Sequence, residues 1–172
     1  MRKIAIITGG SRGLGKNMAI ALAKKNIEVI LTYNSKKEEA ENVVQEIEKL
    51  GAKAAAIQLN VAEVKTFDNF VESIKAILKN NFQTENFDIL VNNAGLTRDN
   101  LSMRMKDEEW DEVIAVNMTA TFKLAKAVQR GMMKRRFGRI INIASVVGVM
   151  GNPGQCNYVA SKAGMIGWSK AM

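Results

Sequence analysis

These 172 residues contain no histidine, one cysteine (Cys156) and one proline (Pro153). Without histidine the chain lacks the commonest general acid/base and the commonest metal ligand, and one cysteine excludes an internal disulfide or a Cys-x-x-Cys metal or redox pair. No metal site is expected, and a reducing cytoplasm suits such a chain. No apolar run approaches the roughly 20 residues that span a bilayer, and Met1-Arg2-Lys3 leads directly into a strand-like run instead of a signal-peptide core, so no membrane partner is expected. Tyrosine is scarce, with Tyr33 and Tyr158 the only two. No repeat, low-complexity tract or Pro/Gly linker divides the sequence, which reads as one domain over residues 1–172.

What is present is an ordinary soluble mixture, 47% hydrophobic and 24% charged. The net charge of +8 is spread along the chain without an aromatic-interleaved stripe, so nucleic acid is not an expected partner and an anionic ligand or partner accounts for it more simply. The ten methionines fall at helical core positions such as Met118 and Met132, where a flexible thioether fills gaps.

Strand-like and helix-like runs alternate. Strands are predicted over residues 3–8, 28–32, 54–59, 88–92 and 139–144, and helices over 13–25, 35–50, 64–78, 107–133 and from 155 onward. The second helix has Ser35 as N-cap, Glu38 three residues later as a capping box and Gly51 as its stop. Buried runs separated by amphipathic helices predict right-handed βαβ units: an α/β fold of Rossmann type, a doubly wound parallel sheet with helices on both faces.

Two stretches carry chemistry. Tyr158 and Lys162, four apart, share one face of a helix, one turn from each other. A free phenol, with a pKa near ~10, is a poor acid or base at neutral pH, but an adjacent cation favours the phenolate. In a chain without histidine Tyr158 is the best proton donor available, although the spacing taken alone more often describes a half-exposed helix face. The second stretch is Thr8-Gly9-Gly10-Ser11-Arg12-Gly13-Leu14-Gly15, where a strand meets a helix, the setting of a dinucleotide pyrophosphate site. Gly9 permits the sharp turn, Gly13 lets the pyrophosphate approach, and Gly15 allows close helix packing. At the end of the second strand, Tyr33-Asn34-Ser35-Lys36-Lys37 offers no acid before Glu38. A ribose 2′-hydroxyl is usually gripped there by a carboxylate, so the pattern favours NADP(H), with Arg12 as main 2′-phosphate ligand and Ser35 or Lys36 in support. Lys36 and Lys37 also fit an exposed first helical turn.

The Thr8 to Gly15 turn, Asn92-Asn93-Ala94-Gly95, Asn117, Ser145 and Tyr158-x-x-x-Lys162, in this order along the whole chain, resemble the short-chain dehydrogenase/reductase family. The second half, through Gly95-Leu96-Thr97-Arg98-Asp99 and Gly148-Val149-Met150-Gly151-Asn152-Pro153-Gly154-Gln155, is similar to members that reduce 3-oxoacyl thioesters carried on acyl carrier protein in fatty acid synthesis. The first half matches more loosely, with extra residues around 80–86. The resemblance implies that Tyr158 protonates the carbonyl oxygen while Lys162 holds the nicotinamide ribose and favours the phenolate. It also implies that Ser145 polarises the carbonyl and that Asn117 interrupts the long helix and holds a water serving Lys162. Asn92, Ala94 and Gly95 would pack near the adenine-ribose side, and Asn60-Val61 would meet the adenine, Asn60 standing where the family commonly has Asp. Of the cluster Arg130, Lys134, Arg135, Arg136 and Arg139, Arg136 matches a carrier-docking position, while cations at a helix C-terminus explain the cluster as well. Homodimers or homotetramers built on the long helix and the last helix are implied too. Family members run on through two more strands and a substrate-covering helix. The expected fold is therefore truncated after the fifth strand and the helix that follows it.

Overall fold

In the computed structural model, which describes residues 2–172, five strands form one parallel sheet. In chain order they are β1 (Ile4–Ile7), β2 (Glu28–Tyr33), β3 (Ala54–Gln58), β4 (Ile89–Asn92) and β5 (Arg139–Asn142), and their spatial order is β3-β2-β1-β4-β5. The helices are α1 (Gly13–Ala23), α2 (Lys37–Lys49), α3 (Phe67–Phe82), α4 (Asp107–Ile114), α5 (Ala120–Lys134), α6 (Val147–Met150) and α7 (Cys156–Ala171). This is the expected Rossmann-like arrangement with helices on both faces. The order runs outward from β1 in one direction and from β4 in the other, so the crevice above the β1/β4 boundary is the topological switch point.

Alternation along the strands builds two cores. Ile4, Ile6, Ile30 and Leu90 face Phe70, Ile74 and Leu78 of α3 and Leu124 of α5, whereas Ile7, Val29, Leu31 and Val91 face Ala19 of α1 and Val43 and Ile47 of α2. β1 is buried on both sides, as a central parallel strand requires. β5 is the exception: Ile140 joins the first core while Ile141 is 46% exposed.

Boundaries differ from expectation at the start of α2 and along the third helix, the short helix α6 was not expected, and the long helix is interrupted at Asn117 as the resemblance implied. Ser35 does not cap α2. The helix starts at Lys37 with Lys36 in the N-cap position and no side-chain cap bond, and Lys36 Nζ lies 2.7 Å from Glu39 Oε1, so the expected Ser35/Glu38 box is absent. The third helix begins with a 3₁₀ turn, Val64–Thr66, and runs on to Phe82 because Phe82 continues the buried stripe of Phe67, Phe70, Ile74 and Leu78. Gln83 then ends it in the left-handed region (φ 54°), its side chain accepting from Lys53 Nζ at 2.7 Å. The long helix is not continuous: α4 and α5 are joined by a π-helical turn, Ala115–Thr119, centred on Asn117.

Candidate active site

The chain turns immediately after β1, and Thr8 organises the turn. Its buried hydroxyl accepts the N–H groups of Asn93 (2.9 Å) and Ala94 (3.0 Å), while Asn93 Nδ2 donates to the carbonyls of Thr8 (2.9 Å) and Gly9 (3.2 Å). The Gly9 N–H reaches Thr32 Oγ1 at 3.1 Å and that of Gly10 reaches the Thr32 carbonyl at 2.9 Å. The C-terminal ends of β1, β2 and β4 are thus tied together around the glycines. Gly9 has φ +65°, and a Cβ there would meet the Ala94 backbone at 3.2 Å. Gly13, at φ +55°, borders open space, and a Cβ on Gly15 would collide with the Gly9 carbonyl. α1 has no acidic residue in its first turn and no side-chain cap bond, so its leading N–H groups point at the crevice without an internal acceptor.

Around this turn Ser11 is half-buried and Arg12 exposed, and Arg12 has no ion-pair partner among the described residues. Leu14 is 69% exposed. Half-buried Tyr33 packs on the α2 side of the sheet, and Asn34 and Ser35 are exposed beside it. Lys36 and Lys37 are paired with Glu39 and Glu41. Asn60 sits just past β3 with Oδ1 accepting the Ala62 N–H (3.1 Å) and Nδ2 donating to Glu63 (2.8 Å), and Val61 packs on the core. Gly95 lies against Asn117, whose Oδ1 would be 2.9 Å from a Cβ at that position. Asn92 faces the scaffold: it is buried, and its Nδ2 donates to Asn142 Oδ1 (2.8 Å) and the Thr121 carbonyl (3.4 Å).

The expected catalytic residues come from the other half of the crevice. Tyr158 and Lys162 occupy successive turns of α7, with the ammonium 5.6 Å from the centre of the phenol ring. Lys162 is buried, and Nζ donates to the Ile143 carbonyl at 2.7 Å, two residues before Ser145. Burial lowers the Lys162 pKa from its ordinary value, because a desolvated ammonium loses hydration that one carbonyl only partly replaces. Half-buried Ser145 leads into α6, and a Cβ on Gly148 would come within 3.0 Å of the Lys162 backbone, so α6 lies directly on α7. Asn117 is fully buried. Its amide accepts the Leu96 N–H and donates to the Leu96 carbonyl, both at 2.9 Å, and it reaches Ser161 Oγ at 3.3 Å. Its side chain is thereby committed to fastening the segment after β4 onto α7, and its carbonyl accepts the Thr121 hydroxyl.

The basic cluster lies elsewhere. α5 runs antiparallel to the strands, so its C-terminus and Arg136 stand at the N-terminal edge of the sheet, opposite the crevice. Arg135 is occupied there, bonding the Phe87 carbonyl and Asp88, and Arg139 lies over the Phe137 ring. Arg136 helps to line a 420 Å³ pocket with Met133, Phe137 and Met172 beside β5.

Beside the glycine turn and the Tyr-Lys pair at the two sides of one switch-point crevice stands similarity to known proteins. The pattern of the family described as short chain dehydrogenase matches residues 3–172. The chain belongs to this family. It is 50% identical over 171 residues to the 3-oxoacyl-(acyl-carrier-protein) reductase FabG of Escherichia coli (strain K12), covering 99% of this chain and 66% of that protein. Reductases of the same name from Staphylococcus epidermidis and Staphylococcus aureus (strain Mu50) are 48% and 47% identical, with 67% of each covered. The chain thus spans about two thirds of the length of these relatives. No helix of the described residues is long and apolar enough to cross a membrane.

Reading the sequence left four residues of this short-chain dehydrogenase site without a role: Thr8, Asn93, Asn157 and Ser161. Each is a polar side chain hydrogen-bonded within the protein, and three are fully or almost fully buried (Thr8 1%, Asn157 0%, Ser161 0%). The signal was adjacency, since Asn93 follows Asn92 in the quoted motif and Asn157 precedes Tyr158.

Proposed function

We propose that this chain carries the catalytic groups of a cytoplasmic reductase that uses NADPH to convert a 3-oxoacyl thioester, borne on an acidic acyl carrier protein, to the 3-hydroxyacyl form. The observation that carries this reading is the Tyr158–Lys162 pair, with its ammonium bound to the strand end that leads to Ser145, in a chain half identical to proteins named for that reaction. The glycine turn suits a pyrophosphate: the backbone N–H groups at the start of α1 are free, and at Gly13 nothing lies within 4 Å of where a side chain would be. Arg12 is exposed and without an ion-pair partner among the described residues, two residues past Gly10, whose N–H bonds Thr32 of β2. Asn34 and Ser35 bring no carboxylate to that strand end, which favours a 2′-phosphate. NADPH supplies the hydride. Tyr158 gives the phenolic proton to the carbonyl oxygen, the Ser145 hydroxyl donates to the same oxygen as negative charge develops, and Lys162 holds the phenolate that remains.

The exposed apolar side chains of the α6 region, Val146, Val149 and Met150, suit an acyl substrate better than a sugar. Arg136 stands at the far edge of its own sheet, so a carrier docked there reaches a crevice only in a homodimer or homotetramer with α5 and α7 packed against a second copy.

Titration of the 172-residue chain with NADPH and with NADH, followed by Trp110 and Trp168 fluorescence, tests the cofactor half. Tight NADPH binding with weak NADH binding is expected, and Arg12→Ala should erase the difference. Turnover of a 3-oxoacyl thioester in preference to a panel of simple ketones is the second expected result. Equal rates on the panel would reassign the substrate, and binding without turnover would reduce the chain to a cofactor-binding or dimerisation module.

A further inference from the structure

The two side chains of the Tyr158–Lys162 pair have a counterpart on a neighbouring face of α7, about 100° around the helix. Asn157 and Ser161 are four residues apart, fully buried, and hydrogen-bonded away from the crevice. Asn157 makes three bonds: Nδ2 donates to the carbonyls of Arg98 (2.9 Å) and Glu109 (3.1 Å), and Oδ1 accepts the N–H of Tyr158 at 2.7 Å. Ser161 Oγ donates to the Tyr158 carbonyl at 2.7 Å and receives Asn117 Nδ2. Both backbone polar groups of Tyr158 are therefore bonded to these two side chains. The same seam grips the segment after β4 at successive points: Leu96 by Asn117, Arg98 by Asn157, Asp99 by Gln155 Nε2 (3.1 Å), and Asn100 by the Gly154 carbonyl (2.8 Å). α4 is included through Glu109, whose carboxylate accepts the Lys106 N–H and Asn100 Nδ2, bonds that hold its pKa below the usual carboxylate range.

We propose that Asn157 is a positioning residue for the Tyr158 phenol: it fixes the rotation of α7 about its own axis, with Ser161 as the second point of attachment. This rests on the reductase reading above. The lever arm makes the effect large. A tyrosine oxygen stands roughly 9 Å from the axis of its helix, given a Cα radius of about 2.3 Å, so a rotation of about 10° displaces it by about 1.5 Å. A misplacement of that size is enough to cost about 10²-fold in rate. The glycine turn leads into α1, across the crevice from this seam, so a small rotation of α7 leaves the turn that would hold the pyrophosphate in place and should change NADPH affinity far less than kcat.

The test is Asn157→Ala in the 172-residue chain, read in two ways. In turnover, kcat should fall about 10²-fold with KM and NADPH affinity close to those of the parent. By hydrogen exchange, the amides of residues 158–162 should exchange faster while those of the glycine turn do not. Asn157→Ser, which keeps one hydroxyl donor, should give an intermediate loss in both readouts and serves if the alanine variant folds poorly. Parent-like kcat in a folded variant, or a loss confined to KM and NADPH affinity, would overturn the proposal. If the parent chain itself does not turn over, the reductase reading fails, and unchanged exchange at residues 158–162 then sinks the positioning role on its own.

Discussion

Replacing Tyr158 by Phe removes one oxygen and nothing that packs. Turnover should fall by about 10²- to 10⁴-fold, the range of a lost general acid, while NADPH titration is unaffected; a loss of binding instead would place the phenol in cofactor recognition. Lys162 makes a prediction about stability. Its folded-state pKa is lowered from the ordinary 10.5 by burial. Between the folded value and 10.5 the unfolded chain holds more protons, so the contribution of Lys162 to stability is least favourable below that window and rises with pH through it. Denaturant melts at stepped pH should show the parent gaining on Lys162→Met as pH rises, and a constant gap would contradict this. Both residues could be picked out from spacing and from the absence of histidine. Asn157 could not, because an asparagine in a helix reads as exposed until a neighbouring backbone is known to lie over it.

Among the elements, the glycine turn gives the sharpest expectation. Gly15→Ala places a methyl on the Gly9 carbonyl, which is itself fixed by Asn93. The variant should lose about 1–3 kcal/mol and most of its NADPH affinity, measured by thermal melting and titration; parent-like binding would mean that the turn can open without cost. Gly13→Ala meets no atom within 4 Å but must hold φ +55°, so it should cost only about 1 kcal/mol. The glycine pattern was legible because it stood between a β-branched run and a helical one. The start of α2 was misread, since a Ser with Glu three residues on matches a capping box whichever residue the chain uses to enter the helix. The π turn was foreseen only as an interruption at Asn117. What makes it is the demand of Leu96 for both ends of one buried amide.

Across the whole molecule, the N-terminal edge of the sheet has its own fastening. Asp88 accepts the Ile4 N–H at 3.0 Å and pairs with Arg135, which also bonds the Phe87 carbonyl. This joins β1, the entry to β4 and the end of α5 at the edge away from the crevice. Arg135→Ala should therefore lower stability by about 1–3 kcal/mol, the range for a partly buried charged bond, while NADPH affinity stays unchanged. A matching loss of affinity would show that the two edges are coupled through the sheet. The cluster of cations at the end of the long helix was visible in the sequence, but the sequence did not divide it into Arg135, which is structural, and Arg136, which lines an open pocket.

Local periodicity and glycine placement determined the five strands and the glycine turn, because each depends on residues within a few positions of one another, whereas the short helix α6 and the split of the long helix were not read from them. The Tyr158–Lys162 pair was legible too, being one turn of one helix. The pairing of Thr8 with Asn93, the hold of Asn157 on Arg98 and Glu109, the inward aim of Asn92 and the distance of Arg136 from the crevice were decided only by tertiary structure. Each joins residues separated by tens of positions, and which face of a strand or helix meets which neighbour follows from sheet order and crossover hand, not from any local signal.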